Sequence, residues 1–460
     1  MSLQAALQAA DANADAALER LFDLLRIRSI STDPAFAGEV AKGADWLAAE
    51  LASLGFDASV RETTGHPMVV AHHDGPEGAP HVLFYGHYDV QPVDPLELWH
   101  DDPFEPAIVT QNGTDVIRAR GASDDKGQLM TFIEAARACV EAGGLPCRVS
   151  VLLEGEEESG SPSLQPFLEA SADELRADIA LVCDTSMWDR DTPAITVTLR
   201  GLAGEEVAIH AANRDLHSGY YGGAAANPIH VLNRALAALH DADGRVTLEN
   251  FYDGVDEVPA DVAAQWERLG ETTEAFLGPI GLGELSGERG RSVLEVTWSR
   301  PTAEVNGITG GYTGEGFKTV IPAEASAKVS FRLVGTQDPD AVIDAFHAHV
   351  ERHLPADCTV SYIPHGRSPA TQLDWNLPEL KAAAGALAEE WGTDTAITGG
   401  GGSIPIVGSF KRLLGMDSLL IGFALADDAI HSPNEKYEVR SFHKGVRSWV
   451  RVLHALKDAA

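Results

Sequence analysis

Two kinds of apolar pattern alternate along roughly the first 190 residues, and no all-helical or all-strand fold accommodates both. Segments with helical spacing, such as "VAKGADWLAAELASLG", "KGQLMTFIEAARACVEAG" and "SLQPFLEASADELRAD", are separated by short apolar runs: "MVVAHH", "HVLFYGHYD", "RVSVLLEG" and "IALVCD". Strands that are apolar on both faces need cover on both faces. The pattern therefore predicts an α/β domain with a largely parallel central sheet flanked by helices. From about Ala194 the texture changes. "AITVTLRG", "GEEVAIHA", "SVLEVTWS", "EASAKVSFRLV" and "CTVSYIPH" read as strands, the first two alternating as if half-exposed, and "NPIHVLNRALAALHD" and "PDAVIDAFHAHVERHL" read as helices. That is an α+β unit. After about Ala370 the α/β texture returns with "LPELKAAAGALAEEWG", "DSLLIGFAL" and "HKGVRSWVRVLHAL". The expected organisation is a discontinuous α/β domain, residues 1–193 and 371–460, interrupted by an inserted α+β domain, residues 194–370.

Composition narrows the function. The 460 residues carry 34 Lys and Arg against 69 Asp and Glu, a formal charge of −35, which opposes binding to nucleic acid or an anionic membrane. No apolar stretch approaches the roughly 20 residues of a membrane span. The N-terminus lacks a basic region followed by an apolar one and instead reads as an amphipathic helix, with Leu18, Leu21, Phe22 and Leu25 at helical spacing. Cys139, Cys147, Cys183 and Cys358 are scattered, so reduced core cysteines and a cytoplasmic location are expected.

Acids and histidines recur where the α/β strands end. His87 and Asp89 follow "HVLFY", Asp124 and Asp125 follow "VIRARGAS", Glu156-Glu157-Glu158 follows "VSVLLEG", and Asp184 follows "IALVC". On a strand, residues two apart share a face, so His87 and Asp89 would stand together. Ligand sites of α/β sheets lie outside the carboxyl ends of the strands, where these side chains would converge. Singly, each has an ordinary explanation: Asp124 or Asp125 could cap the following helix, and a glutamate triplet is usually solvated. Together they would repel one another unless a cation sat among them. Two divalent ions would relieve that, zinc accepts both nitrogen and carboxylate oxygen, and one aspartate can bridge two ions. A weaker signal is "TGGGGSIPIVGSF", where Gly401 and Gly402 would let a ligand approach the backbone and Ser403 would begin a helix favouring an anion.

"GHYDV", "GASDDKG", "EGEEESGS", "VCDTSMW", "DLHSGYYGG" and "AIHSPNEKY" resemble, in order, the motifs of the co-catalytic di-metal peptidases. That family includes carnosinase-like dipeptidases, carboxypeptidase G, acetylornithine deacetylase and succinyl-diaminopimelate desuccinylase. The likeness runs essentially the whole chain and is greatest to the carnosinase-like branch. The resemblance implies that His87 and Asp184 bind one metal, Glu158 and His431 the other, and that Asp124 bridges both. It implies Glu157 as general base, Asp89 orienting the His87 imidazole, and a cis peptide between Asp124 and Asp125. Glu156 would be spare and solvated. His217 would reach the active site of a partner subunit and stabilise the oxyanion, Arg332 would meet the substrate carboxylate, and Thr319 is a further candidate contact.

The implied activity is cleavage of the peptide bond of a dipeptide or other small peptide with a free carboxylate. A hydroxide bridging two divalent ions (zinc, or else manganese or cobalt) would be the nucleophile, in a homodimer built through the inserted lid and dimerisation domain. An N-acyl amino-acid deacylase or desuccinylase of the same family, and more remotely a non-catalytic peptide-binding homologue, are the alternatives. His349 and His353, spaced i and i+4, are expected on a solvated helix face.

Overall fold

The computed structural model describes residues 2–401 and 405–459. The chain forms two compact units: one comprises residues up to 197, 373–398 and from 409 onward, the other residues 198–372 and 399–408.

The first unit is built on a mixed sheet with a parallel centre. Its strands run in the order Asp57–Arg61, Met68–His73, Arg148–Glu154, His81–His87, Ile179–Val182, Asp417–Leu420 and Ala194–Leu199. The three pairings at the centre are parallel, and those toward both edges are antiparallel. Helices Leu3–Ala12, Ala14–Leu25, Lys126–Glu141, Pro378–Trp391 and Val439–Ala459 contribute to one continuous apolar core with it. Leu18, Leu21 and Leu25 of the second helix are buried, as their spacing predicts. Phe84 stacks on Phe132 at 3.8 Å between ring centroids, and Trp449 meets both rings edge-on. The Trp449 indole N–H donates to Thr131 Oγ1 at 3.1 Å, so this large side chain is buried with its polar atom satisfied. A separate antiparallel sheet joins Lys436–Glu438 to Thr114–Arg118 and Ala107–Gln111.

The second unit is α+β. Its antiparallel sheet has the order Thr302–Gly310, Glu324–Leu333, Gly201–His210, Thr359–Ser368. Ala325, Ala327, Val329 and Phe331 alternate inward from one strand, Ala203, Val207 and Ile209 from its neighbour. Val231 and Leu232 of helix Pro228–Ala237 and Val342, Ile343 and Phe346 of helix Pro339–Arg352 complete that core.

Three local expectations are corrected. Ala194–Leu199 is not half-exposed: all six residues are buried, because the strand extends the large sheet beside Asp417–Leu420. "SVLEVTWS" is helical through Glu295–Ser299, not a strand. Its start is a reciprocal cap in which Ser292 N–H donates to Glu295 Oε2 at 2.8 Å and Glu295 N–H to Ser292 Oγ at 3.3 Å, and this overrides the β-branched composition. His349 is buried rather than solvated, its Nε2 2.8 Å from the Ala235 carbonyl, tying the two helices of the second unit together. The four cysteines are free and buried, and no helix among the described residues is long and apolar enough to cross a membrane.

Candidate metal centre

Parallel strands of the first unit deliver the site side chains from their carboxyl ends. His87 closes the strand His81–His87, Glu157 and Glu158 follow Arg148–Glu154, and Asp184 follows Ile179–Val182. Asp124 precedes the helix Lys126–Glu141, and its peptide bond to Asp125 is cis, as the resemblance implies. His87 Nε2 lies 3.1 Å from Asp124 Oδ1 and 3.9 Å from Asp184 Oδ2. His431 Nε2 lies 2.9 Å from Asp124 Oδ2 and 3.1 Å from Glu158 Oε2. The two oxygens of one carboxylate thus face two different imidazoles.

Two groups result, His87–Asp124–Asp184 and Asp124–Glu158–His431. In each, the potential ligand atoms lie within 4.8 Å of one another, so each could hold a metal ion. The donor chemistry fits: imidazole nitrogen and carboxylate oxygen suit borderline divalent ions such as zinc. Proton affinities point the same way. Hydrogen bonds to Asp124 and Glu158 hold His431 up at about 10. Burial opposes a charge on His87, yet the bonds to Asp124 and Asp89 raise its pKa well above the ordinary value. Burial would also raise Asp124, but bonding to His431 and His87 more than reverses that and lowers it. Asp184 is pushed to about 7 by burial and the charge on Asp124. A metal bound to these groups would displace the imidazole protons.

Asp89 serves more than the imidazole. His87 Nδ1 is 3.1 Å from the Asp89 carbonyl oxygen and 3.4 Å from its carboxylate. The same carboxylate accepts the backbone N–H groups of Glu157 at 3.2 Å and Glu158 at 3.0 Å. One buried aspartate therefore fixes both the histidine and the turn that carries the two glutamates. Gln91, which the sequence reading passed over, donates to Glu158 Oε2 at 2.7 Å. The half-buried Glu157 carboxylate makes no hydrogen bond among the described residues, and burial raises its pKa.

The neighbouring acids separate into roles. Asp125 belongs to neither ligand group and instead accepts the His87 backbone N–H at 3.2 Å and the Cys183 thiol at 3.1 Å. Glu156 is neither spare nor solvated: it is buried and accepts the N–H groups of His66 at 2.8 Å and Ser163 at 2.6 Å. Glu156→Ala would leave both donors unpaired and is expected to cost about 2–4 kcal/mol, read as a lower denaturation midpoint. A carboxylate in a glutamate run gives no sequence signal for that clamp, because both donors are backbone N–H groups, His66 90 residues back and Ser163 7 residues on.

The second unit holds His217, Thr319, Arg332 and Gly401. The exposed His217 accepts the Gly219 N–H at Nδ1, 2.9 Å, and Ser218 N–H donates to the Thr319 carbonyl at 3.1 Å. Arg332 sits opposite Thr302 and Leu202, close enough to Arg200 that, after burial, its charge lowers the Arg200 pKa. Arg200 Nε in turn donates to the Gly401 carbonyl at 3.2 Å. Gly402 and Ser403 lie outside the described residues.

Comparison with known proteins agrees with the geometry. The family model described as peptidase family M20/M25/M40 matches residues 83–455. A Cys-Gly metallodipeptidase from Candida albicans is 29% identical over 458 residues, covering 95% of this chain and 94% of the relative. An M20 family metallo-carboxypeptidase from Sulfolobus solfataricus superposes with a TM-score of 0.76 at 30% identity, covering 96% of this chain and 99% of that one. Human carnosine dipeptidase 1 superposes with a TM-score of 0.73 at 25% identity, covering 100% and 99%.

Proposed function

This chain belongs to peptidase family M20/M25/M40, and from that premise we propose that it is a metal-dependent dipeptidase with two divalent ions sharing Asp124. The observation that carries the reading is the shared carboxylate, with one imidazole on each of its oxygens and an unengaged glutamate beside it. His87, Asp124 and Asp184 would hold one ion and Asp124, Glu158 and His431 the other. Bound there, divalent ions supply Lewis-acid polarisation of the scissile carbonyl and acidify water.

Glu157 takes a proton from the attacking water and returns it to the leaving amine nitrogen once the C–N bond breaks, so amide plus water gives carboxylate and amine. Its raised pKa suits a group that must accept and then release a proton. Asp89 keeps Glu157 in place through its backbone N–H. Arg332 offers a planar guanidinium to the substrate carboxylate. His217, from the second unit of a partner subunit, donates to the developing oxyanion.

Metal-stripped protein reconstituted with zinc, manganese or cobalt tests the reading against free dipeptides, N-acetyl amino acids and N-succinyl amino acids. Metal-dependent cleavage of free dipeptides is the expected result. Cleavage confined to acylated amino acids would move the protein to the deacylase branch. The partner role of His217 has its own check. Co-expressed Glu157→Ala and His217→Ala chains, each inactive alone, should recover about a quarter of wild-type activity, since half of randomly assorted dimers carry one complete site. No recovery would place His217 in its own subunit's reaction, and a His217→Ala chain active by itself would place it outside the reaction altogether.

A further inference from the structure

We propose that Glu435 is the positioning residue that fixes Asp124 between the two donor groups and holds it in register with His431. The proposal rests on the reading of Asp124 as a metal ligand. Glu435 is fully buried and collects four donors from one short loop. Its Oε1 accepts the backbone N–H of Ser123 at 2.9 Å and of Asp124 at 3.0 Å. Its Oε2 accepts Gly121 N–H at 3.0 Å and Arg120 Nη1 at 2.7 Å. Every bond ends within five residues of chain, 120–124, whose last member is the shared ligand.

The loop that carries Glu435 also carries His431, four residues earlier, and it is itself held. Asn434 accepts the His100 N–H at 2.8 Å and donates to the Leu98 carbonyl at 2.9 Å. Asp428, also buried, accepts Ser123 Oγ at 2.8 Å, Leu425 N–H at 2.8 Å and Lys436 Nζ at 2.7 Å. Lys436 pairs in turn with Arg118 in the small antiparallel sheet. A segment more than 300 residues away in sequence thus supplies one ligand directly and sets the place of another through buried carboxylates.

Glutamine at position 435 keeps the shape and halves the accepting capacity. Arg120, buried with its Nη2 on the Pro92 carbonyl, retains the remaining carbonyl oxygen because a buried cation left unpaired is the costlier loss. The amide NH2 would then confront the N–H groups of Ser123 and Asp124, donor against donor, and the loop must shift.

Cobalt(II) titration of the full chain, followed by visible absorption and by competition with a chelator, tests this without reference to turnover. Wild-type protein should bind cobalt. Glu435→Gln should bind it about tenfold or more weakly, with altered absorption bands, as expected when a group that orients a ligand is lost. Glu435→Asp, which keeps the charge but withdraws it by one methylene, should fall between them, and it decides the matter if the glutamine variant does not fold. Affinity within about twofold of wild type and unchanged bands in a folded variant, even with a lowered Tm, would make Glu435 a merely structural residue and overturn the proposal. A wild-type protein that binds no cobalt would fail earlier, at the metal-site reading.

Discussion

Glu157→Gln is expected to lower kcat by about 10³-fold while leaving metal content and KM near wild type, because a positioned general base contributes roughly 10²–10⁴-fold. Its turn is held from the backbone, not from its own carboxylate: Asp89 takes the N–H groups of Glu157 and Glu158, and Gln91 secures the Glu158 side chain. Exchanging the Glu157 carboxylate for an amide removes proton acceptance and disturbs no bond in that frame. Glu158→Gln provides the contrast, since that carboxylate faces His431 at 3.1 Å and its loss should deplete metal. Metal analysis and steady-state kinetics on the two variants separate the roles. Metal loss in Glu157→Gln, or near-normal kcat, would overturn the assignment of the base.

How far the sequence discloses this fold depends on whether a pattern is local. The buried strands and amphipathic helices of the first unit are legible because burial on both faces of a parallel sheet imposes continuous apolar runs, and "HVLFYGH" and "RVSVLLE" carry them. "AITVTL" alternates apolar residues with threonines, and threonine is small enough to be buried, so the pattern alone misplaces it on a half-exposed sheet. "SVLEVTWS" has strand composition, yet the S-x-x-E spacing of Ser292 and Glu295 marks a helix start that composition outweighed in the reading.

The site divides the same way. His87, Asp184 and the acid runs 124–125 and 156–158 are legible as strand-end clusters, whereas only the family resemblance selects Asp124 and Glu158 from those runs and adds His431; the structure brings these five residues into two groups. Glu156, Glu435 and Asp428 are not legible. Glu435 and Glu156 accept largely from backbone N–H groups, and Asp428 from the nearby Leu425 N–H and the distant Ser123 hydroxyl, pairings that leave no pattern in the letters. Identical residue types thus serve opposite ends: Glu158 turns its carboxylate toward a ligand group, while Glu156, two positions away, buries its own to close a loop.

Asp124→Ala should empty the centre. Each donor group would drop from three protein ligands to two, His87 with Asp184 and Glu158 with His431. Losing a residue that only supports a ligand already costs 10–100-fold in metal affinity, so losing the shared ligand should weaken both groups by about 10²-fold or more. Asp184→Ala touches one group alone and should leave the other ion bound, which makes the pair of variants a test of sharing itself. The alanine chain is expected to fold, because Glu435 holds the loop through the backbone N–H of Asp124 and of Ser123, and neither depends on the side chain removed. Removing the carboxylate also frees His87 and His431 from the acceptor that holds protons on them, so both imidazoles should titrate nearer the ordinary histidine range in the metal-free variant. Metal analysis after dialysis, with histidine NMR titration of the metal-free protein, reads both consequences. Retention of both ions would show that Asp124 is not the bridge. Loss of one ion only, matching Asp184→Ala, would reduce it to a ligand of a single metal.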